Sequence, residues 1–334
     1  THRVGPVMSA ATELNLDVTE ALVGSTFAGF GTTVGVWTTL PALLPGLQSS
    51  LGDWVVTVEQ ACSRFRPDSD ISRANRATGT PVQVSRELVD AVDAACRMAA
   101  ATDGLYDPTV GASVISAGYD RSFEEVAESG PGASFDHRRG GAWWLVQIDR
   151  NASTITVPEG FQLDLGGSAK GWAVDTAVRV LTESVLPGFP GAGICISAGG
   201  DLAVTGTAPE GGWPVAIQER LDGGGKVTER HVWLMAGAMA TSGATFRQWQ
   251  RDGERGHHII DPRTGEPGRS GWTLVTAFAD SCLVADTMAT AAWLLDRAAP
   301  RQLASWGVGA RLVDSLGSEV LVGDLGRWLV PEAA

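Results

Sequence analysis

The chain has 334 residues, a formal net charge of −13, 44% hydrophobic residues and four cysteines. That length is enough for one large domain with a sizeable core, and the acidic balance argues against non-specific nucleic-acid binding, which draws on Lys and Arg. No run of about 18 apolar residues occurs, so no transmembrane helix is expected. The cysteines, Cys62, Cys96, Cys195 and Cys282, form no C-x-x-C pair; buried free thiols are expected rather than a zinc or dithiol site.

The first residues lack a basic stretch followed by an apolar one, and the chain does not start with Met, which leaves a removed signal open. Residues 26–40 read as one strand interrupted by Gly and Thr. Residues 47–65 read as a helix through Leu51, Trp54, Val55, Val58 and Cys62. A second helix spans 85–102, with Ser85 as N-cap. Residues 118–141 are polar and glycine-rich and read as a surface loop. WWLVQID, TITVPE and FQLDL are strand candidates, followed by a helix over 171–183. GICISAGGDLAVTG, WPVAIQER and RHVWLMAGAMATSG read as strands with Gly-rich turns. A strand over 272–279 and a helix over 281–297 follow. Strands in adjacent runs favour α+β over a doubly wound parallel sheet. No Pro/Ser-rich linker divides the chain. The expectation is a short extension over 1–25 and one compact unit over 26–330, built of two intimate lobes with mixed or antiparallel sheets, flanking helices and a site in the cleft between them.

Two segments invite a chemical reading. DLGGSAKG (164–171) sits between a strand and a helix, where free N–H groups and glycine attract anions. It is not a Walker A loop, since Gly171 follows Lys170. By itself it reads as an ordinary βα turn. In ADTMAT, Asp286 and Thr290 are four residues apart on one helix face. A carboxylate and a hydroxyl in apolar company need partners, and together they offer hard oxygen ligands that suit Mg²⁺.

Short blocks recur in order: Gly31-Thr32, SRFRPDSDISRAN, YDPT, DLGGSAKG, AGGD, ATSG, HIIDPRTG and AD-x-x-AT. From Thr26 to Trp328 their order and wording resemble the ApbE family, the FAD:protein FMN transferases. The resemblance implies Mg²⁺-dependent transfer of FMN from FAD to a Thr or Ser hydroxyl of an acceptor flavoprotein bearing a D-x-x-[ST]-G-A-[ST] motif, with release of AMP. It implies metal ligation by Asp286, Thr290 and the carbonyl of Ala169. Lys170 would stand beside the phosphates, and His258 near the reacting phosphorus as base, positioning group or phosphate donor, with His257 incidental. Gly199, Gly200 and Asp201 would contact adenosine. Thr32 and Ser242 would line the flavin cleft, with Tyr106 and Asp107 of YDPT also in the binding site. The same metal site would serve an FAD pyrophosphatase, and a flavin carrier without catalysis is a second alternative. With no visible signal peptide, the expected location is that of a soluble bacterial protein, cytoplasmic ahead of extracytoplasmic and membrane-associated. Phe30, Ser168 and Trp172 depart from the family pattern. Residues 242–245, SGAT, echo the end of the acceptor motif without its Asp, since Met239 stands in that place.

Overall fold

A computed structural model describes residues 22–123, 125–126, 141–220, 227–251 and 254–330. Residues 1–21 of the expected N-terminal extension, and most of the glycine-rich stretch over 118–141, lie outside the described residues.

The chain builds an α+β fold around one eight-stranded sheet. Its strands are β1 (Val23–Gly29), β2 (Thr32–Thr38), β6 (Gly193–Ala198), β7 (Asp201–Gly206), β10 (Ala238–Gly243), β15 (Trp272–Ala279), β16 (Gly309–Asp314) and β17 (Glu319–Val322), in that spatial order. Every neighbouring pair is antiparallel. Three small sheets hold the hairpins β8 (Trp213–Glu219) with β9 (Thr228–Leu234), β11 (Gln248–Arg251) with β12 (Glu254–His257), and β13 (Ile260–Asp261) with β14 (Glu266–Pro267). A fourth joins β3 (Val82–Gln83), β5 (Thr154–Thr156) and β4 (Gln147–Asp149).

Among the described residues, the helices are α1 (Leu44–Cys62), α2 (Asp70–Arg76), α3 (Arg86–Ala101), α4 (Gly111–Ser116), α5 (Ala169–Ser184), α6 (Cys282–Leu295) and α7 (Ala299–Trp306). Four of these, α1, α5, α6 and α7, pack as a layer on the large sheet, and α2 and α3 pack on α1. α5 lies against β6 and β7, α6 against β10 and β15, and the two helices pack on each other. The alternation of the strands decides which side chains face this layer. Ile194, Ile196, Ala203 and Ala238 meet Val174, Ala177 and Leu181 of α5. Cys195, Leu202, Val204, Met239 and Phe278 belong to a separate apolar cluster with Val215, Ile217 and Leu234 of the β8–β9 hairpin. All four cysteines are free; Cys62, Cys195 and Cys282 are buried, and burial raises all four thiol pKa values.

Helix starts follow their sequence signals. Ser85 accepts from Leu88 N and Ser281 from Val284 N, both as N-caps. Three expectations are corrected. Residues 26–40 are not one strand: Gly29 pairs with Thr32, and Phe30–Gly31 is a two-residue hairpin turn with both φ positive (57° and 63°). Trp143–Leu145 is a 3₁₀ turn, with strand only from Gln147. FQLDL is not a ladder strand; it contributes one parallel bridge, Gln162 with Val110. The first segment is divided by its turn; in the other two a short apolar or β-branched run matches strand propensity but lacks a partner long enough to pair with.

Candidate active site

The site starts from a helix contact. A Cβ on Gly171 would stand 2.8 Å from Leu283 Cα and 2.9 Å from the Cys282 carbonyl. Only a residue without a side chain lets α5 and α6 approach this closely. The Asp175 carboxylate on α5 then accepts from Ser281 Oγ (2.7 Å), Cys282 N (2.7 Å) and Leu283 N (2.9 Å). It satisfies free N–H groups at the start of α6 and sits at the positive end of that helix. This locks the phase of α6 and brings Asp286 to the first turn of α5.

There Lys170 Nζ donates to Asp201 Oδ2 and stands 3.8 Å from Asp286 Oδ2. Asp201 opens β7 directly after the Gly199–Gly200 turn, where φ is +63° and +94°. The AGGD block is therefore a tight hairpin that aims a carboxylate at Lys170. Asp286 is buried, and its Oδ2 has no hydrogen-bond partner among the described residues. Burial pushes its pKa up to about 7; the Asp201 charge adds to the rise, and Lys170 opposes it. One helical turn on, Thr290 Oγ1 lies 2.8 Å from Ser242 Oγ at the end of β10. Among the described residues no group of three or more His, Cys, Asp or Glu side chains could hold a metal ion. A cation here would depend on hydroxyl and carbonyl oxygens beside one carboxylate.

His258 follows β12 on the connection to β13. Its ring hydrogen-bonds the Arg247 backbone, and Nδ1 has no partner among the described residues. Burial first, then Arg247, His257 and Lys170, hold its pKa well below the usual imidazole value. That shift favours the neutral imidazole. His257 is not incidental to the structure: its Nε2 lies 2.9 Å from the Gly268 carbonyl, its Nδ1 accepts from Ile259 N at 3.3 Å, and its ring meets Trp293 edge-on at 5.4 Å.

These groups line a cleft of about 280 Å³. Tyr106, Asp107, Ala169, Lys170, Gly199, Asp201, Ser242, His258, Asp286 and Thr290, all singled out in the sequence, lie along it. Thr32 and Gly200 do not. Thr32 is buried behind Gly199, where a Cβ would stand 2.9 Å from Thr32 Oγ1. Gly200 completes the turn. Tyr106 donates to Ser168 Oγ at 2.6 Å, just ahead of α5. Asp107 Oδ1 accepts from Thr109 N and Thr109 Oγ1, so that oxygen braces its own loop.

The sequence reading missed the other wall. Arg64 donates to Asp164 Oδ2 at 2.5 Å and lies over the Phe65 and Tyr119 rings, 4.2 and 4.8 Å from their centroids. Phe123 edges Tyr119, and Trp249 stacks on it. The cleft thus has a charged end, around Lys170 and Asp286, and an aromatic part. The SRFRPDSD block carries Arg64 and Phe65 and could have flagged this wall, but Tyr119 and Trp249 lie far off in sequence. Glu59 lines the cleft too and accepts from Phe30 N at 2.7 Å, pinning the β1–β2 turn to α1.

The model of the ApbE family matches residues 30–312. The FAD:protein FMN transferase of Vibrio cholerae is 30% identical over 251 residues, which cover 73% of this chain and 72% of that protein. The FAD:protein FMN transferase of Treponema pallidum is 31% identical over 255 residues, covering 71% and 68%. The crystal structure of the ApbE protein from Thermotoga maritima superposes with a TM-score of 0.77 at 26% identity, over 90% of this chain and 97% of that one. Relatives at this identity, a fold match across nearly the whole length and a family pattern that runs from the β1–β2 turn to β16 agree: this chain belongs to the ApbE family.

Proposed function

We propose that this protein is an FAD:protein FMN transferase that moves FMN from FAD to a Thr or Ser hydroxyl of an acceptor flavoprotein and releases AMP. The observation that carries this reading is the buried, unpartnered Asp286 Oδ2 in the cleft, one helical turn from the Thr290 hydroxyl. An orphaned carboxylate oxygen beside a hydroxyl fits a hard divalent cation. Asp286, Thr290 and the carbonyl of Ala169 would hold Mg²⁺, which when bound neutralises charge on the pyrophosphate.

The chain's own residues supply the rest. The aromatic wall of Phe65, Tyr119 and Phe123 suits a planar ring of FAD. Lys170 holds the Asp201 and Asp286 carboxylates in register, and Gly199 leaves room for close backbone approach. In the transfer step the acceptor hydroxyl oxygen bonds to the FMN phosphorus. The bridging P–O bond to AMP breaks, and AMP leaves with the electron pair. The hydroxyl proton passes to His258, whose neutral ring has a nitrogen lone pair to receive it. Residues 26–330 act in this reading as one unit of two intimate lobes around the cleft.

The test incubates the protein with FAD, Mg²⁺ and a domain bearing D-x-x-[ST]-G-A-[ST]. Mass spectrometry of the acceptor is expected to show addition of FMN with loss of water. Free FMN with an unmodified acceptor would convert the reading to a pyrophosphatase, and unchanged FAD would reject both.

A further inference from the structure

We infer that Arg247 is the cation that grips the pyrophosphate of the substrate, and that Lys170 is a positioning residue for the carboxylates instead. This rests on the flavin-transferase reading and assigns one residue of that site a role.

Among the described residues, three fixed cations line the cleft: Arg64, Lys170 and Arg247. Arg64 is committed to Asp164 at 2.5 Å and packed between rings. Lys170 is committed to Asp201, with Asp286 next to it at 3.8 Å. A lysine placed between two carboxylates has little net charge left for an incoming anion. Among the described residues no carboxylate forms an ion pair with Arg247. It is half-buried on the wall of the cleft, at the end of the segment that leaves β10 after Ser242 and Gly243.

Its neighbours are the reacting groups. The His258 ring hydrogen-bonds the Arg247 backbone, and the Arg247 charge is felt at Lys170, Asp286 and His258. One residue therefore orients the proposed base through its main chain and presents a guanidinium through its side chain. A guanidinium suits a pyrophosphate because its planar fork can bond two oxygens at once, whereas an ammonium acts as a point charge. In the transfer step Arg247 would hold charge that builds on the phosphoryl oxygens as the bond to AMP breaks.

The test compares wild type with Arg247→Gln and Arg247→Lys, each checked for an unchanged melting temperature. Metal-free titrations with FAD and with riboflavin are followed by flavin fluorescence, and inorganic pyrophosphate is titrated by calorimetry. Arg247→Gln is expected to weaken FAD by roughly 10- to 100-fold, the range of a charge-assisted hydrogen bond. It should leave riboflavin unchanged and abolish pyrophosphate binding, with Arg247→Lys recovering part of each. Wild-type FAD affinity in Arg247→Gln, or an equal loss for FAD and riboflavin, overturns the assignment. If wild type binds no flavin, the transferase reading fails separately. The pyrophosphate titration then decides on Arg247 alone: retained binding in Arg247→Gln rejects it. Should the Gln variant melt early, the Lys variant carries the same comparison through its intermediate FAD affinity and unchanged riboflavin affinity.

Discussion

Asp175 accepts a 2.7 Å hydrogen bond from Ser281 Oγ while Ser281 itself caps the Val284 N–H, so one carboxylate on α5 fixes the first turn of α6. The Asp286 side chain inherits its position from this clamp. Asp175→Ala removes the acceptor for three donors, two of them backbone N–H groups at a helix start. The expected loss of stability is about 2–4 kcal/mol, the range for breaking a buried network. Denaturant unfolding measures it, and a loss below about 0.5 kcal/mol would show that α6 is positioned by packing alone.

Gly171→Ala is a test with opposing terms. In an exposed helix the change would gain about 1 kcal/mol. Here the new Cβ meets backbone atoms of Cys282 and Leu283 at 2.8–2.9 Å, and backbone cannot swing aside. The contact wins: the variant should melt earlier, and turnover should fall because Asp286 moves with α6. A melting temperature at or above wild type would mean that the helices part without cost.

Asp286 carries a pH signature. Its folded-state pKa is raised from 3.8 to about 7, so the folded protein binds a proton that the unfolded chain has released. Stability from this group falls as pH rises from about 4 to 7, and the penalty is complete above 7. In EDTA at pH 8, Asp286→Asn should therefore melt higher than wild type by about 2–5 °C, with the gap closing toward pH 4. The same proton competes with a cation, so Mg²⁺ affinity of the wild type should be greater at pH 8 than at pH 6. Asp286→Ala should fold and lose turnover. Thr290→Ala should cost less, because a neutral hydroxyl is the weaker ligand.

His258→Ala should lower the single-turnover rate by about 10²-fold or more with little change in FAD affinity. His257→Ala is the contrasting variant. It should spare the chemical step but lower the melting temperature, since its ring is tied to Gly268, Ile259 and Trp293. Equal rate losses in the two variants would return His258 to a structural role.

Periodicity and caps were enough to place α3 and α6, and the four-residue spacing of Asp286 and Thr290 was readable from the helix period alone. What pairs with them was not. Lys170 and Asp201 are 31 residues apart, and Asp175 and Ser281 are 106 apart. No local rule links such residues, because the link is made by sheet order and helix contact. The Ala169 carbonyl is invisible to side-chain reasoning and came from family resemblance. Thr32 was expected at the cleft; its neighbours Phe30 and Gly31 line it, and Thr32 stands at the start of the strand behind this two-residue turn. Arg247 gave no signal as one arginine among many; its distinction is that no carboxylate among the described residues pairs with it, which only three-dimensional placement reveals.

The order of the central sheet has a consequence for synthesis on the ribosome. β2 pairs with β6 across roughly 160 residues of chain, and Asp286 and Thr290 lie on α6, which follows all but two of the sheet strands. Non-local pairings of this kind form late. A nascent chain halted before residue 282 would carry Lys170, Asp201 and His258 but lack the helix that Asp175 clamps. Such a chain would leave the apolar faces of β10 and α5 uncovered, an exposed surface of the kind that chaperones bind and that aggregates.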